Sequence, residues 1–398
     1  MTDTATPETP RAARKAGRPA RILRGLLRAS AWTVAVLVLL MAIAFFGAPL
    51  PLGPLEDTAS VIAMLVPWTT GLLLAFTAIL AAAAVLARRR RRLATVAGIA
   101  GLAALGMIAT PWAATARETD VNWSAYFAAA PAPQPDATDT YASIDGHDLK
   151  VDVYLPETAE PAPAVVYVHG GGWSGGSRSE SAPWQQWLSD QGYAVFSIDY
   201  RLAPTPRWED AVGDVKCALG WVRANASEYG ADAGNVSIAG DSAGGHLSMM
   251  AAYTVGDPAL APSCAVDEAP VASVMSWFAP TDLASLETDS DMPDSARGYL
   301  TEFLGAGLAE EPSRYEAASP LTYARPGLPP TMIVQGGADR LVPLEQGEAL
   351  AASLERAGVP VATLDLPWAH HGFTGQWGSW ASQALRPAVV DFLAEHAH

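Results

Sequence analysis

"SIAGDSAGGHLSMM", residues 237–250, passes from a short apolar run through Gly240-Asp241-Ser242-Ala243-Gly244 into a second run of small and apolar residues. A G-x-S-x-G stretch alone is a weak signal, because glycine and serine are common in ordinary turns. Its flanks strengthen it. An apolar strand that enters and a small-residue helix that leaves describe a nucleophile elbow, where small neighbours permit a sharp turn and the serine hydroxyl projects above a sheet. The N-terminus of the following helix favours negative charge developing beside Ser242. Ser242 is therefore the candidate nucleophile. Asp241 is read as a support for the elbow, and His246, one turn into the helix, as a packing or capping residue.

A serine nucleophile needs a base, an acid to orient the base, and donors for the oxyanion. "VQGGADRLVP" (334–343) supplies Asp339 just after an apolar strand run, and "DLPWAHHGF" (365–373) supplies His370 and His371 after the last one. Taken singly, the aspartate reads equally well as a turn residue and the histidines as surface loop. Their order along the chain, Ser then Asp then His, and their shared place at strand ends favour a triad.

"PAVVYVHGGGW" (163–173) supplies the donors. Three consecutive glycines forfeit packing and conformational entropy, but they bare the backbone N–H groups that a tetrahedral intermediate needs about 3 Å from its oxygen. The expected oxyanion donors are Gly171 and Gly172, joined by Ala243 after the nucleophile, and His169 is read as a brace for the loop. Phosphate cradling would want G-x-x-x-x-G-K-[ST] or a helix opening with G-x-G-x-x-G, and neither is present.

Around these motifs strand and helix patterns alternate. Apolar runs at 164–169, 193–200, 235–240, 271–278, 331–336 and 361–367 are separated by segments of helical period, such as 211–230 and 344–358. The pattern implies a mostly parallel sheet with helices on both faces. "DGHDLKVDVYLP" (145–156) adds a hairpin whose turn is Asp145-Gly146. Residues 279–330, between two strands, are long for a plain connection and read as a cap over the site. Trp173, Trp368, Trp377 and Trp380 are candidates for a pocket wall, with ordinary core packing as the alternative.

"HGGGW", "DYRLAP" (199–204) and "GDSAGG" together resemble the bacterial esterase/lipase branch of the α/β-hydrolases, near the hormone-sensitive-lipase-like and feruloyl-esterase-like (BD-FAE-type) groups. The 145–156 stretch is more similar to the latter. The resemblance covers about 140–398. It implies an α/β-hydrolase fold and hydrolysis of carboxylic esters through an acyl-enzyme, without metal or organic cofactor. It also points to His371, in an H-G-F stretch, over His370. A serine peptidase of the same fold remains the alternative, and a non-catalytic binding module is a further one.

The N-terminal part has a different character. Residues 29–55, 58–87 and 93–116 contain no charged residue, and each is long enough to cross a bilayer. Three transmembrane helices are expected, at about 31–48, 61–87 and 93–114, within a membrane region 31–116. A cleaved signal peptide for the first stretch, or a buried helical hairpin for the other two, are the competing readings. Seven Lys/Arg residues precede the first stretch, and Arg88–Arg92 separate the last two. Basic clusters stay cytoplasmic, so residues 1–30 are expected inside and everything beyond the third span outside, in a multi-pass cell-membrane protein.

From residue 115 onward 13 basic residues face 37 acidic ones, a formal net charge of −24. Such a domain repels nucleic acid. The expected partners are a small-molecule, lipid or acylated-polymer ester and the membrane; oligomeric state is not legible. "AAAPAPQPDATDT" (128–140) suits a semi-extended spacer, within a linker at 117–139. Cys217 and Cys264 are the two cysteines, free to pair in an oxidising compartment or to stay as buried thiols.

Overall fold

Proline at position 67 divides the second charge-free stretch. In the computed structural model, which describes residues 18–47, 56–87, 90–117, 119–158, 160–204 and 208–396, α1 (Arg18–Phe46) is followed by α2 (Glu56–Leu65), a 3-10 turn at Pro67–Thr69 and then α3 (Thr70–Leu86). A proline ring clashes with the carbonyl one turn back and its nitrogen donates no hydrogen bond, which kinks or breaks a helix. Here the helix breaks, whereas the helices Arg91–Thr115 and Trp380–His396 run on through Pro111 and Pro387. The expected continuous span at 61–87 is thus corrected to a 17-residue helix beginning at Thr70. α4 (Arg91–Thr115) follows. Two helices are long and apolar enough to cross a membrane, over Gly25–Phe46 and Arg91–Thr115, with α3 a shorter apolar helix. Residues 1–17 of the basic N-terminus, Pro49, Pro51, Pro54, Arg88 and Arg89 lie outside the described residues.

The chain forms two compact units, the first comprising residues 1–46 and 69–107. Inside it, Ala35, Ala42, Ala97, Ala100 and Ala104 are buried together with Val38, Phe45, Leu73, Leu80 and Leu93, whereas Leu40, Leu72, Leu86 and Leu102 point outward. Small and large apolar side chains thus share the helix contacts, while further large apolar ones are exposed on the outside.

The second unit holds residues 47–68 and 108–398. After the short helix α5 (Trp123–Phe127), the chain builds β1 (Ala137–Ile144) and β2 (His147–Tyr154), whose turn places Asp145 and Gly146 at φ 52° and 82°. Positive φ at both central residues is what a tight hairpin turn requires. Then follow β3 (Ala162–Val168), α6 (Ala182–Asp190), β4 (Ala194–Ile198), α7 (Glu209–Asn225), β5 (Ala231–Asp241), α8 (Ala243–Tyr253), β6 (Val274–Trp277), α9 (Leu283–Asp289), α10 (Pro293–Leu304), α11 (Pro312–Ala317), β7 (Thr331–Gly336), α12 (Leu344–Arg356), β8 (Val361–Leu366) and α13 (Trp380–His396).

The eight strands order as β1-β2-β4-β3-β5-β6-β7-β8. β1–β2 and β2–β4 are antiparallel and the other pairs parallel. Central strands β3, β4 and β5 read as near-continuous apolar runs because both faces are covered. One core includes Val166, Phe196, Ile238, Leu247 and Leu350; the other includes Val165, Tyr167, Trp277, Val334 and Phe392.

Two further expectations meet the structure here. Cys217 of α7 and Cys264 are joined in a disulfide. The bridge closes 47 residues that contain β5, the elbow and α8, and by chain entropy such a loop is worth about 4 kcal/mol. The 117–139 stretch is not a free spacer along its whole length. Gln383 of α13 accepts from the Asn122 N–H at 2.6 Å and donates to its carbonyl at 3.1 Å, and Tyr126 lies against Trp380 with ring centres 4.3 Å apart. Aromatic packing plus paired hydrogen bonds hold α5 to the domain.

Candidate active site

The C-terminal ends of three parallel strands bring Ser242, Asp339 and His371 together, although they are far apart in sequence. Ser242 sits between β5 and α8 with φ 51° and ψ −121°. A non-glycine residue there carries roughly 1–3 kcal/mol of strain, which the surrounding packing must hold. The sequence around it shows how. A Cβ on Gly244 would fall 2.0 Å from the Val168 carbonyl oxygen, and one on Gly240 2.4 Å from the backbone of Gly244. Neither position accepts a side chain, so the elbow stays pressed against β3. The Ser242 N–H donates to the Trp277 carbonyl at 2.8 Å, locking the turn to β6.

Ser242 Oγ lies 2.8 Å from His371 Nε2, and His371 Nδ1 lies 2.7 Å from Asp339 Oδ2. The other carboxylate oxygen of Asp339 accepts the N–H groups of Leu341 and Val342, each at 2.9 Å. With one oxygen committed to those donors, Oδ2 is left to accept the hydrogen bond of the Nδ1–H group, which leaves the Nε2 lone pair facing the serine. Phe278 packs edge-on to the His371 ring at 5.1 Å. His370 does not reach the serine: it is buried beside a separate small cavity, bordered also by Trp68, Trp368 and Trp380.

Gly171 (φ 113°) and Gly172 (φ 59°) border the same cleft as Ser242. The N–H groups of these two glycines find no acceptor among the described residues. Ala243 opens α8, so its N–H has no partner in the helix ladder. N–H groups without an acceptor beside a serine hydroxyl are the kind of donor an oxyanion requires.

Supporting residues account for the remaining expectations. His169 is buried, stacks on Tyr200 at 4.4 Å and sits so close to Gly176 that no Cβ fits there. Burial lowers its pKa, which suits a brace rather than an acid. Asp241 accepts from the Tyr167 hydroxyl at 2.8 Å, and desolvation raises its carboxyl to about 6. His246 accepts from Trp173 Nε1 at 3.1 Å and donates to the Ala318 carbonyl at 2.7 Å, so it ties the oxyanion loop to the cap. Asp199 and Arg201 of the "DYRLAP" stretch are structural: Asp199 pairs with Arg178 at 2.7 Å, Arg201 with Asp214 at 2.8 Å. Of the four tryptophans, only Trp173 lines the cleft; Trp368 and Trp380 line the smaller cavity, and Trp377 packs on Trp184 and Arg386.

The cleft has a volume of about 270 Å³, and Leu286, Ala296 and Tyr299 of the 279–330 cap form one wall. Sequence reading missed Tyr167 and Tyr299. A tyrosine in an otherwise apolar strand was the available signal for the first, because a buried hydroxyl needs a partner. The second carried none.

Buried histidines make stability pH-dependent. Burial pulls His246 and His370 each down to about 4 from 6.5. Between those values the unfolded chain binds the proton and the fold does not, so their stabilising contribution is present above pH 6.5 and is lost as pH falls toward 4. Asp241, raised, works in the opposite sense: its contribution is present below pH 4 and lost as pH rises through 6. Burial shifts His169 in the same direction as these two histidines, so three groups oppose one, and the melting temperature should fall on acidification through that window. In His246→Gln, whose side chain does not titrate, the slope should flatten; an unchanged slope would show that His246 carries no such linkage.

Comparison with known proteins places the same domain. The BD-FAE family model matches residues 151–354, just over half of the chain. Esterase LipQ of Mycobacterium tuberculosis is 33% identical over 254 residues, which are 62% of this chain and 59% of that protein. Carboxylesterase NlhH of the same species is 33% identical over 238 residues, 57% of this chain and 71% of that one. Among the first curated relatives, the chain spans 54–59% of their length. The solved structure of a thermophilic esterase from Thermogutta terrifontis, Est2, superposes with a TM-score of 0.55 at 29% identity, covering 65% of this chain and 91% of that one. The sheet, the elbow and these likenesses fall on one stretch of sequence, and by them the chain belongs to the BD-FAE family, on an α/β-hydrolase fold.

Proposed function

We propose that this protein is a membrane-anchored serine carboxylic-ester hydrolase that works outside the cytoplasm through an acyl-enzyme. One observation carries the reading: the Ser242–His371–Asp339 chain of contacts, at 2.8 and 2.7 Å, opens onto a cleft bordered by the bare N–H groups of Gly171 and Gly172. In this mechanism His371 Nε2 takes the Ser242 proton as Oγ attacks the ester carbonyl carbon. The N–H groups of Gly171, Gly172 and Ala243 receive the oxyanion, and Asp339 holds the imidazole tautomer and stabilises the imidazolium. The C–O bond to the alcohol breaks, with the proton on Nε2 going to the leaving oxygen. Water then repeats the sequence on the acyl-enzyme and releases the acid.

The substrate class is a carboxylic ester with a small or medium acyl group. The cleft volume supports this, and the Thermogutta terrifontis esterase has been solved with propionate and with butyrate bound, at 30% and 29% identity and TM-scores of 0.54. Three crossings are supported by chain connectivity. Gly47, which follows α1, Trp68, which precedes α3, and the last turns of α4 from Ile108 onward all belong to the unit that contains the hydrolase. At 1.5 Å per residue the 17 residues of α3 extend about 26 Å, at the short end of what spans a bilayer core. The Arg90–Arg92 end then lies on the cytoplasmic side with the basic N-terminus. The Cys217–Cys264 disulfide supports an oxidising compartment for the hydrolase.

The full chain in detergent should turn over p-nitrophenyl acetate and butyrate and leave the matching p-nitroanilides intact. Amide turnover at a comparable rate would make it a peptidase, and no turnover of either by a folded chain would remove the enzymatic reading.

A further inference from the structure

The cap helix α10 has no capping side chain of its own. Its N-cap is Met292, which makes no side-chain bond to the first turn, and Pro293 follows. The missing acceptor comes from 238 residues away. Asp57, at the start of α2, takes the Ser295 N–H on Oδ2 at 2.7 Å and the Ser295 hydroxyl on the same oxygen at 2.5 Å. A carboxylate there satisfies an orphan donor of the first turn and opposes the positive end of the helix dipole. The same segment also holds the acid loop, since Arg340, next to Asp339, donates to the Gly47 carbonyl at 2.9 Å. From the acid loop the chain of contacts returns to the cap: the Ser290 hydroxyl donates to the Leu341 carbonyl at 2.9 Å and accepts the Met292 N–H at 3.1 Å.

What α10 carries makes this clamp consequential. Ala296, Tyr299 and Phe303 share one helix face by their three- and four-residue spacing. Ala296 and Tyr299 line the cleft. The Tyr299 ring is so near Gly172 that a Cβ there would fall 2.6 Å from it. Phe303 stacks on Trp173 of the oxyanion loop, with centres 4.5 Å apart and planes 11° from parallel. A shift of α10 by one ångström would move the cleft wall and the glycine loop together.

We propose that Asp57 is a positioning residue for the ester cleft: by capping α10 it sets where Ala296 and Tyr299 stand, so the segment between the first two apolar helices determines which ester fits. The inference rests on the ester-hydrolase reading for its substrate, but not for its structural half. It gives the segment that joins the first two apolar helices a part in specificity.

The test uses the full chain in detergent, as wild type, Asp57→Ala, Asp57→Asn and the milder Ser295→Ala. Hydrogen exchange over residues 293–304 and kcat and KM for p-nitrophenyl esters from acetate to octanoate are measured, with active sites titrated by a fluorophosphonate. In Asp57→Ala, α10 amides should exchange about tenfold faster, as loss of a helix cap permits. KM should rise and the chain-length preference shift, with kcat per titrated site within about twofold. Asp57→Asn, which keeps an acceptor oxygen for the Ser295 N–H, should recover most of both effects. Wild-type exchange in α10 together with an unchanged chain-length profile would overturn the proposal. So would a uniform loss of kcat with KM unmoved. If the wild type itself turns over no ester, the functional reading fails separately, and exchange over α10 still decides whether Asp57 clamps the cap.

Discussion

Replacing Ser242 by alanine is expected to lower kcat on p-nitrophenyl butyrate by about 10⁶-fold, to within 10³–10⁴ of the rate in water. In the proposed mechanism Ser242 forms the acyl-enzyme: its hydroxyl faces His371 Nε2 at 2.8 Å, and its backbone is pinned by the Trp277 carbonyl and by α8. Alanine keeps the same Cβ and the same backbone bonds, so the strained elbow, the cleft and the KM for a slowly processed ester should change little. What disappears is the atom that attacks. The residual rate then measures what the glycine N–H groups and orientation contribute without covalent chemistry. The check is double: active-site titration with a fluorophosphonate should fall to zero, and the melting temperature should stay within a few degrees of wild type. A Ser242→Ala protein that keeps a tenth of the parent's turnover would place the nucleophile elsewhere.

Such a site is readable in sequence because each part obeys a local rule. The elbow declares itself through glycines at 240 and 244, which the structure shows to be positions where no Cβ fits. The oxyanion loop does so through the glycines at 171 and 172, both at positive φ. Asp339 and His371 follow apolar strand runs, and a parallel sheet puts all such ends on one edge. Strand runs at 164–169 and 331–336 map onto β3 and β7 within two residues, and the run at 235–240 falls inside β5, which begins four residues earlier. The choice of His371 over His370 rested on the family resemblance of the H-G-F stretch; in the structure the His371 ring faces Ser242, and His370 is buried beside the smaller cavity. Harder still were contacts made across hundreds of residues. Nothing in "EDTAS" (56–60) marks Asp57 as a cap for a helix starting at 293, because an acidic residue in an apolar neighbourhood reads as the end of a span. The second span went wrong for the opposite reason: hydropathy averages over Pro67, while backbone geometry does not.

Asp339→Asn is the sharper second test, with an expected loss of about 10⁴-fold in kcat. The argument is one of hydrogen-bond direction. In the wild type Oδ1 is held by the N–H groups of Leu341 and Val342, and Oδ2 accepts from His371 Nδ1. An asparagine must place its oxygen where those two N–H groups point, since its NH₂ cannot accept from them. The NH₂ is thereby turned toward His371 Nδ1, and two donors cannot face each other. The imidazole responds by moving its proton to Nε2, where it confronts the Ser242 hydroxyl with an N–H instead of a lone pair. Geometry survives while basicity is lost from the one atom that needs it. The loop after β7 keeps its two N–H bonds, so the melting temperature should hold, whereas Asp339→Ala would strand those donors and confound activity with stability. Turnover and KM on p-nitrophenyl butyrate, with thermal melts beside them, separate the two cases. An asparagine variant within tenfold of wild type would mean that another group sets the His371 tautomer, and the Asp339 assignment would fall while that of Ser242 stood.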